Sequence, residues 1–343
     1  MALINLKDLL KHSQANGYAV GAFNITNLGF IDAAIAAAVE QRSPIILQIA
    51  EVHLRYVDLE EIAPIIVSAA KKVDIPICFH LDHGESFKTC VRAIRAGFTS
   101  VMFDGSHYSL DENIALTKEV VKVAKAVNVS VEAEIGNIGG EAIGEQAPVA
   151  HAASKEMFTK VDEAVKFVNE TGVDALAIAI GNVHGFYKGD PNLDFERLTQ
   201  IRNAVSIPLV LHGGSGISDD DFRKAVKLGI CKINFYTEMS AGAVARIRDY
   251  LSGNQGVNSL PDVINKGFEE AKNIIKKRLE VFGSKDMCAP EKTLCVSCTD
   301  KTCGAVDPRF SSGAKTVLYE ELVDKISREV ISSIQTGTNA GKN

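Results

Sequence analysis

The sequence has no long apolar run, no block of basic residues and no even set of cysteines, and each absence removes a class of function. Nothing in it reaches the roughly 20 consecutive apolar residues that a helix needs to cross a bilayer. Met1 to His12 alternates apolar and polar side chains and lacks the apolar core of a secretory signal, so the expected location is the cytoplasm. Lys and Arg total 37 against 43 Asp and Glu, a net charge of −6 with no cationic cluster to serve as a nucleic-acid footprint. Seven cysteines cannot all pair. Cys78, Cys90 and Cys231 fall inside strand or helix patterns, where a small buried thiol is expected. The other four crowd between Cys288 and Cys303, and their one C-x-x-C, Cys295 to Cys298, suits a metal site, a disulfide or a plain surface tail.

What is present is a rhythm. The chain has 343 residues, 46% hydrophobic and 23% charged, enough for a barrel and a small appendage. Eight apolar runs recur: AVGAFNI from Ala19, PIILQIA from Pro44, PICFHLDH from Pro76, SVMFDGS from Ser100, VSVEAEIG from Val129, ALAIAIGN from Ala175, PLVLHGGSG from Pro208 and CKINFYTE from Cys231. Runs apolar almost throughout suit strands covered on both faces, and each precedes a helical pattern such as Ile31, Ala34, Ile35 and Ala38. Eight such units predict a closed (β/α)₈ TIM barrel, with a doubly wound open sheet as the alternative.

Two segments break the rhythm. Residues 137–160, rich in Gly and Ala, form a long stretch after the fifth strand, of the kind used as a lid or binding loop. The barrel is expected to span 1–285, ending in a helical pattern from Asp262 to Phe282. Residues 286–343 read as a Cys-containing extension with one amphipathic helix (Val317, Leu318, Leu322, Ile326, Val330, Ile334) and a disordered end. The amphipathic helix is expected to dock on the barrel or on a second subunit.

Barrel chemistry sits at the C-terminal ends of the strands. There the sequence places Asn24; Asp82 and His83; Asp104; Glu132 and Glu134; Asn182 and His184; His212; and Asn234 with Thr237. Only the second strand contributes none. Three histidines at three strand ends suit a catalytic zinc with an open coordination position. Asp82 precedes His83, and because the chain turns at a strand end both are expected to reach one cavity. Among the remaining histidines, His107 is the expected supporting residue. The run His212-Gly213-Gly214-Ser215-Gly216 opens a helix at Ser218 and offers backbone N–H groups to an anion, with Asn234 and Thr237 on the next strand.

Phe23-Asn24, LDHGES from Leu81, MFDGSH from Met102, VEAEIGNIGG from Val131, AIGNVHG from Ala179, LHGGSG from Leu211 and KIN from Lys232 resemble, in order and to about Ser284, the class II fructose-bisphosphate and tagatose-bisphosphate aldolases. The resemblance implies zinc held by His83, His184 and His212, with Asp82 as acid/base at the oxygen of the aldehyde carbon. It implies that Asn24 and Asn234 contact substrate hydroxyls. Gly185, Lys188, Gly213, Gly214, Ser215, Asn234 and Thr237 are implied to hold the dihydroxyacetone phosphate end, with a monovalent cation (Na⁺ or K⁺). Asp104 and Glu134 match positions of an alternative or second metal site, and the family implies a homodimer or larger assembly. A Schiff-base aldolase using Lys232, a zinc hydrolase and a lapsed sugar-phosphate-binding protein are the competing readings.

Three positions depart from the family pattern. Ala50 stands where many members have Ser or Thr. Ala142 stands where a glutamate serves as carbon-proton base, leaving Glu141, or failing it Glu145, for that role. Near Pro261 there is no arginine for a distal phosphate. A ketose 1-phosphate with an unusual distal end, sulfonated or unphosphorylated, is therefore an expectation beside fructose or tagatose bisphosphate. Arg55, with His53 beside it, is the nearest cation to meet that end.

Overall fold

The β-branched runs of the sequence do become strands, and their order follows the chain. In this computed structural model, which describes residues 3–138, 149–150, 154–189 and 191–288, the barrel strands are β1 (Val20–Asn24), β2 (Ile45–Ala50), β3 (Ile77–Gly84), β4 (Ser100–Phe103), β5 (Ser130–Ile135), β6 (Ala175–Ile178), β7 (Leu209–Leu211) and β8 (Ile230–Phe235). Every pair is parallel, and Val20 opposite Lys232 closes β1 onto β8. The protein is a (β/α)₈ barrel, not an open sheet.

Helices α1 (Leu6–Asn16), α2 (Leu28–Glu40), α3 (Leu59–Ala70), α4 (Phe87–Ala96), α5 (Leu110–Ala126), α6 (Val161–Thr171), α7 (Phe195–Ala204), α8 (Asp219–Lys227), α9 (Thr237–Gly253) and α10 (Leu260–Val281) complete the described elements. Short polar residues start most of them. Asn27, Ser86, Ser109 and Ser218 each accept a hydrogen bond from a first-turn backbone N–H. Gly97 and Gly172 end α4 and α6 in the left-handed conformation. Helix α10 starts at Leu260, just ahead of the sequence expectation, with Pro261 in its first turn, where a missing N–H costs nothing.

The N-terminus is a helix that the sequence reading passed over. Asn5 caps α1, and Leu6, Leu9, Leu10 and Ser13 are buried on one stripe. That stripe packs against Val20, Ile46, Cys78, Ala175, Val210 and Cys231 inside the barrel. Lys7 N donates to Ser130 Oγ and Ser13 Oγ to the Cys231 carbonyl, so α1 plugs the end of the barrel where strands begin. Chemistry is thereby confined to the opposite end.

Cys78, Cys90 and Cys231 are buried thiols, and burial pushes Cys78 up to about 12. The first residues of the expected extension join the barrel: Asp286 N and Cys288 N donate to the carbonyls of Gln41 and Arg42. The remainder of that extension lies outside the described residues. Of the long stretch after β5, residues 149–150 pair with Phe186–Tyr187 and residues 155–157 form a 3₁₀ turn.

Emptying the plug tests its importance. Leu10→Ala removes a fully buried side chain and should lower unfolding free energy by about 2–5 kcal/mol, read as a lower urea midpoint at constant m-value. An unchanged midpoint would show that α1 adds nothing to the barrel.

Candidate active site

At the end of β3 the register slips against β4 between Leu81 and Gly84, and His83 takes a left-handed backbone, φ 44°. Such a conformation is costly for a residue with a β-carbon, typically about 1–3 kcal/mol. Its effect is to turn both Asp82 and His83 toward one cleft, where alternation along a regular strand sends neighbours to opposite faces. His83 Nε2 lies 4.0 Å from Asp82 Oδ1.

Asp82 is almost fully buried and gripped by amides from three strands. Asn24 Nδ2 donates to Oδ2 at 2.9 Å, Gln48 Nε2 to the same oxygen at 3.1 Å, and Asn234 Nδ2 to Oδ1 at 2.8 Å. Burial pushes the carboxyl up, but the charges of His83, Lys232 and His212 prevail and hold it well below the usual carboxylate range. Asp82 is thus an ionised, oriented carboxylate. Gln48 was invisible as a site residue because it stands two positions before the end of β2, inside an otherwise apolar run.

Three imidazoles gather beside it. Ring centroids of His83 lie 4.8 Å from His184 and 4.7 Å from His212, and ligand atoms of His83, Glu134, His184 and His212 all fall within 4.8 Å of one another. Outer partners fix which nitrogen each ring presents. Asp104 Oδ2 sits 2.6 Å from His83 Nδ1, and Glu132 Oε1 sits 2.8 Å from His212 Nε2. His212 Nδ1 and Glu134 Oε2 then lie 2.9 Å apart, both buried, an ion pair when the ring is protonated. Buried ring nitrogens and a carboxylate oxygen gathered this closely fit a metal ion, and His₃ with a carboxylate is a zinc donor set. His184 is pushed down to about 3, first by burial, which leaves it a neutral ligand.

The structure places several residues otherwise than the sequence suggests. Glu132 is not a rim residue. It lies within β5, fully buried, where Lys232 Nζ contacts both of its oxygens at 3.0 Å and His80 Nε2 comes within 3.7 Å of Oε2. Burial raises Glu132, yet Lys232 and His212 bring it down to about 2. Lys232, itself wholly buried and paired, is not presented as a Schiff-base nucleophile. His107 is exposed against Tyr108, away from the cleft lining among the described residues; Asp104 holds His83 instead, and it stands outside the cluster of candidate ligands.

The cleft is lined by Asn24, Asp82, His83 and His184, by Gly185 and Gly213 to Ser215, by Asn234 to Thr237, and by Ala50 with His53. Gly213 has φ 65°, and a side chain there would collide with the Val183 carbonyl. Tyr187 clamps this turn, receiving from Val183 N and donating to the Gly213 carbonyl. The helix N-terminus at the cleft is that of α9 at Thr237, since α8 opens with Asp219, Asp220 and Asp221, which repel an anion. Glu238 N donates to Ser215 Oγ, joining α9 to the glycine turn. Arg278 of α10, nearly buried, then ties Glu238 (2.7 Å) to Asp219 (2.6 Å). Lys188 and Arg55 are exposed and line no part of the cleft; the Arg55 guanidinium lies over the Tyr56 ring. Glu141, Ala142 and Glu145 lie outside the described residues. His53, given little weight in the sequence, lines the cleft.

Comparison with known proteins agrees with this geometry. The family described as Fructose-bisphosphate aldolase class-II matches residues 4–287. The 6-phospho-5-dehydro-2-deoxy-D-gluconate aldolase of Bacillus licheniformis is 40% identical over 287 residues, covering 83% of this chain and 96% of its own. A probable fructose-bisphosphate aldolase of Bacillus subtilis is 39% identical, covering 83% and 99%. Among solved structures, the YdjI aldolase of Escherichia coli K12 superposes with a TM-score of 0.74 at 34% identity, covering 83% and 99%.

Metal uptake should be linked to protons. Burial works against a charged His83, but Asp82 and Asp104 raise it to about 10, and Glu132 and Glu134 raise His212 in the same way. His83 therefore holds a proton near neutrality and must lose it to bind a metal, so higher pH removes the competitor. Affinity should therefore rise from about pH 6 to about pH 9, with proton release seen by calorimetry in buffers of different ionisation enthalpy. A pH-independent affinity would take His83 out of the ligand set.

Proposed function

Because the chain belongs to the class II fructose-bisphosphate aldolase family, we propose that it is a zinc-dependent lyase that reversibly cleaves a ketose 1-phosphate to dihydroxyacetone phosphate and an aldehyde. The carrying observation is the meeting, in one cleft, of a cluster of three imidazoles and Glu134, an ionised Asp82 beside it, and the glycine turn of Gly213 to Ser215. The phosphate end of the substrate rests on that turn, on Thr237 and on the first N–H groups of α9, which have no partners within the helix.

In cleavage, Asp82 accepts the proton from the hydroxyl on the carbon that becomes the aldehyde. The carbon–carbon bond breaks, its electron pair passing to the carbon beside the ketone. His83, His184 and His212 would hold the zinc ion, which would supply Lewis-acid stabilisation for the negative charge that develops on the dihydroxyacetone phosphate half. Asn24 and Asn234, already bonded to Asp82, orient the neighbouring hydroxyls, and Glu141 delivers the proton that the new carbanionic carbon needs. Condensation runs the same transfers in reverse.

A chelator should abolish turnover of fructose 1-phosphate or fructose 1,6-bisphosphate, and added zinc should restore it. Turnover by the metal-free protein, with borohydride trapping substrate on a lysine, would refute the proposal. Asp82→Asn keeps the side-chain volume and the metal ligands but removes the proton acceptor and turns one accepting oxygen into an NH₂ group, so it should still bind zinc and lose about 10²- to 10⁴-fold in kcat. Exchange of the dihydroxyacetone phosphate carbon proton with solvent isolates the remaining step. Glu141→Ala should slow it by at least about 10²-fold, and exchange at the parent rate would move the base elsewhere.

A further inference from the structure

His53 lines the cleft from the turn after β2, only 1% exposed, with its ring edge-on to Tyr236 at 4.7 Å between centroids. Among the described residues neither Nδ1 nor Nε2 has a hydrogen-bond partner. A buried imidazole left with an unmet donor and an unmet acceptor is unfavourable, and wherever such a group borders a substrate cleft a ligand is its natural partner. The ring is not loosely held. Glu51, at the start of the same turn, accepts from Glu85 N at 2.6 Å and Thr89 Oγ1 at 2.7 Å, fixing the turn to the start of α4.

The electrostatics of this side of the cleft differ from what a phosphate needs. None of the described residues that line it is a lysine or arginine, and Ala50 offers no hydroxyl. Burial pushes His53 down to about 4, so near neutrality the ring carries one N–H and one lone pair and no charge. A dianionic group gains little from such a neighbour, while a hydroxyl, donor and acceptor in one, matches it. The dihydroxyacetone phosphate half is already accommodated at β7 and β8, which leaves the β2 side for the other half of the sugar.

We propose that His53 is a specificity-determining residue of the acceptor subsite, hydrogen-bonded to a hydroxyl of an uncharged aldehyde and selecting against a distal phosphate. This inference rests on the aldolase reading above. It replaces Arg55, which lies on the surface, as the residue that meets the distal end.

The test measures condensation of dihydroxyacetone phosphate with glyceraldehyde, propionaldehyde and glyceraldehyde 3-phosphate, together with carbon-proton exchange of dihydroxyacetone phosphate alone. The zinc-loaded parent enzyme should favour glyceraldehyde over both other aldehydes by about tenfold or more in kcat/KM, the scale of one hydrogen bond to a buried group. In His53→Ala the preference over propionaldehyde should collapse toward unity, through a higher KM for glyceraldehyde, while proton exchange falls far less. His53→Gln, which keeps a donor and an acceptor in a similar volume, should retain part of the preference, and it carries the test if the alanine variant does not fold. A parent that prefers glyceraldehyde 3-phosphate, or variants that leave the glyceraldehyde preference intact, would overturn the assignment. No proton exchange by the parent would instead overturn the aldolase reading, and the subsite with it.

Discussion

A charge buried in the middle of a barrel must be answered there, and Glu132 is answered by Lys232 and His212 together. Removing one member of such a group leaves the others uncompensated in a low-dielectric interior, at about 3–5 kcal/mol. That energy holds more than the core. Because Glu132 takes Nε2 of His212, the ring is locked with Nδ1 toward Glu134, and the layer of side chains beneath the cleft becomes the template for the layer above it. Lys232 is consumed by the same pairing, so the one strand lysine that a Schiff-base route would use serves to keep a carboxylate ionised.

A second constraint acts on the backbone. The cleft holds Asp82 and His83 within a few ångströms of one another, and a regular strand sends adjacent residues to opposite faces. The slip between β3 and β4 with the left-handed His83 resolves the conflict. Asp104 holds the strained residue from one side, and three amides hold Asp82 from the other. The strain is local and sits where two functions share one turn.

The fold was legible in the sequence because both of its signals are repetitive: apolar runs bounded by polar caps, eight times, with no internal conflict. The three histidines and Asp82 were legible because strand ends in a barrel face one rim. What stayed hidden depends on packing across strands. Gln48 looks like an interruption of an apolar run until β2 is set beside β1 and β3, and Glu132 reads as a rim residue until β5 is set opposite β8. His53 looked like a loop residue because a short 3₁₀ turn has no periodicity to reveal an inward side. Helix α1 carried a readable cap at Asn5 and an i, i+3, i+4, i+7 stripe, but its first residues also alternate as a strand does, and the two patterns overlap. Arg55 and Lys188 illustrate the opposite failure, since closeness in sequence to a site does not bring a long cation into it.

Arg278 has the widest reach. By joining Asp219 and Glu238 it links α10 to the starts of α8 and α9, and through Glu238 N to Ser215 of the glycine turn. An anion seated on that turn is mechanically continuous with the last described helix. Slowed amide exchange along α10 when an anion is added would show that this chain of contacts carries occupancy of the turn to a helix outside the cleft lining.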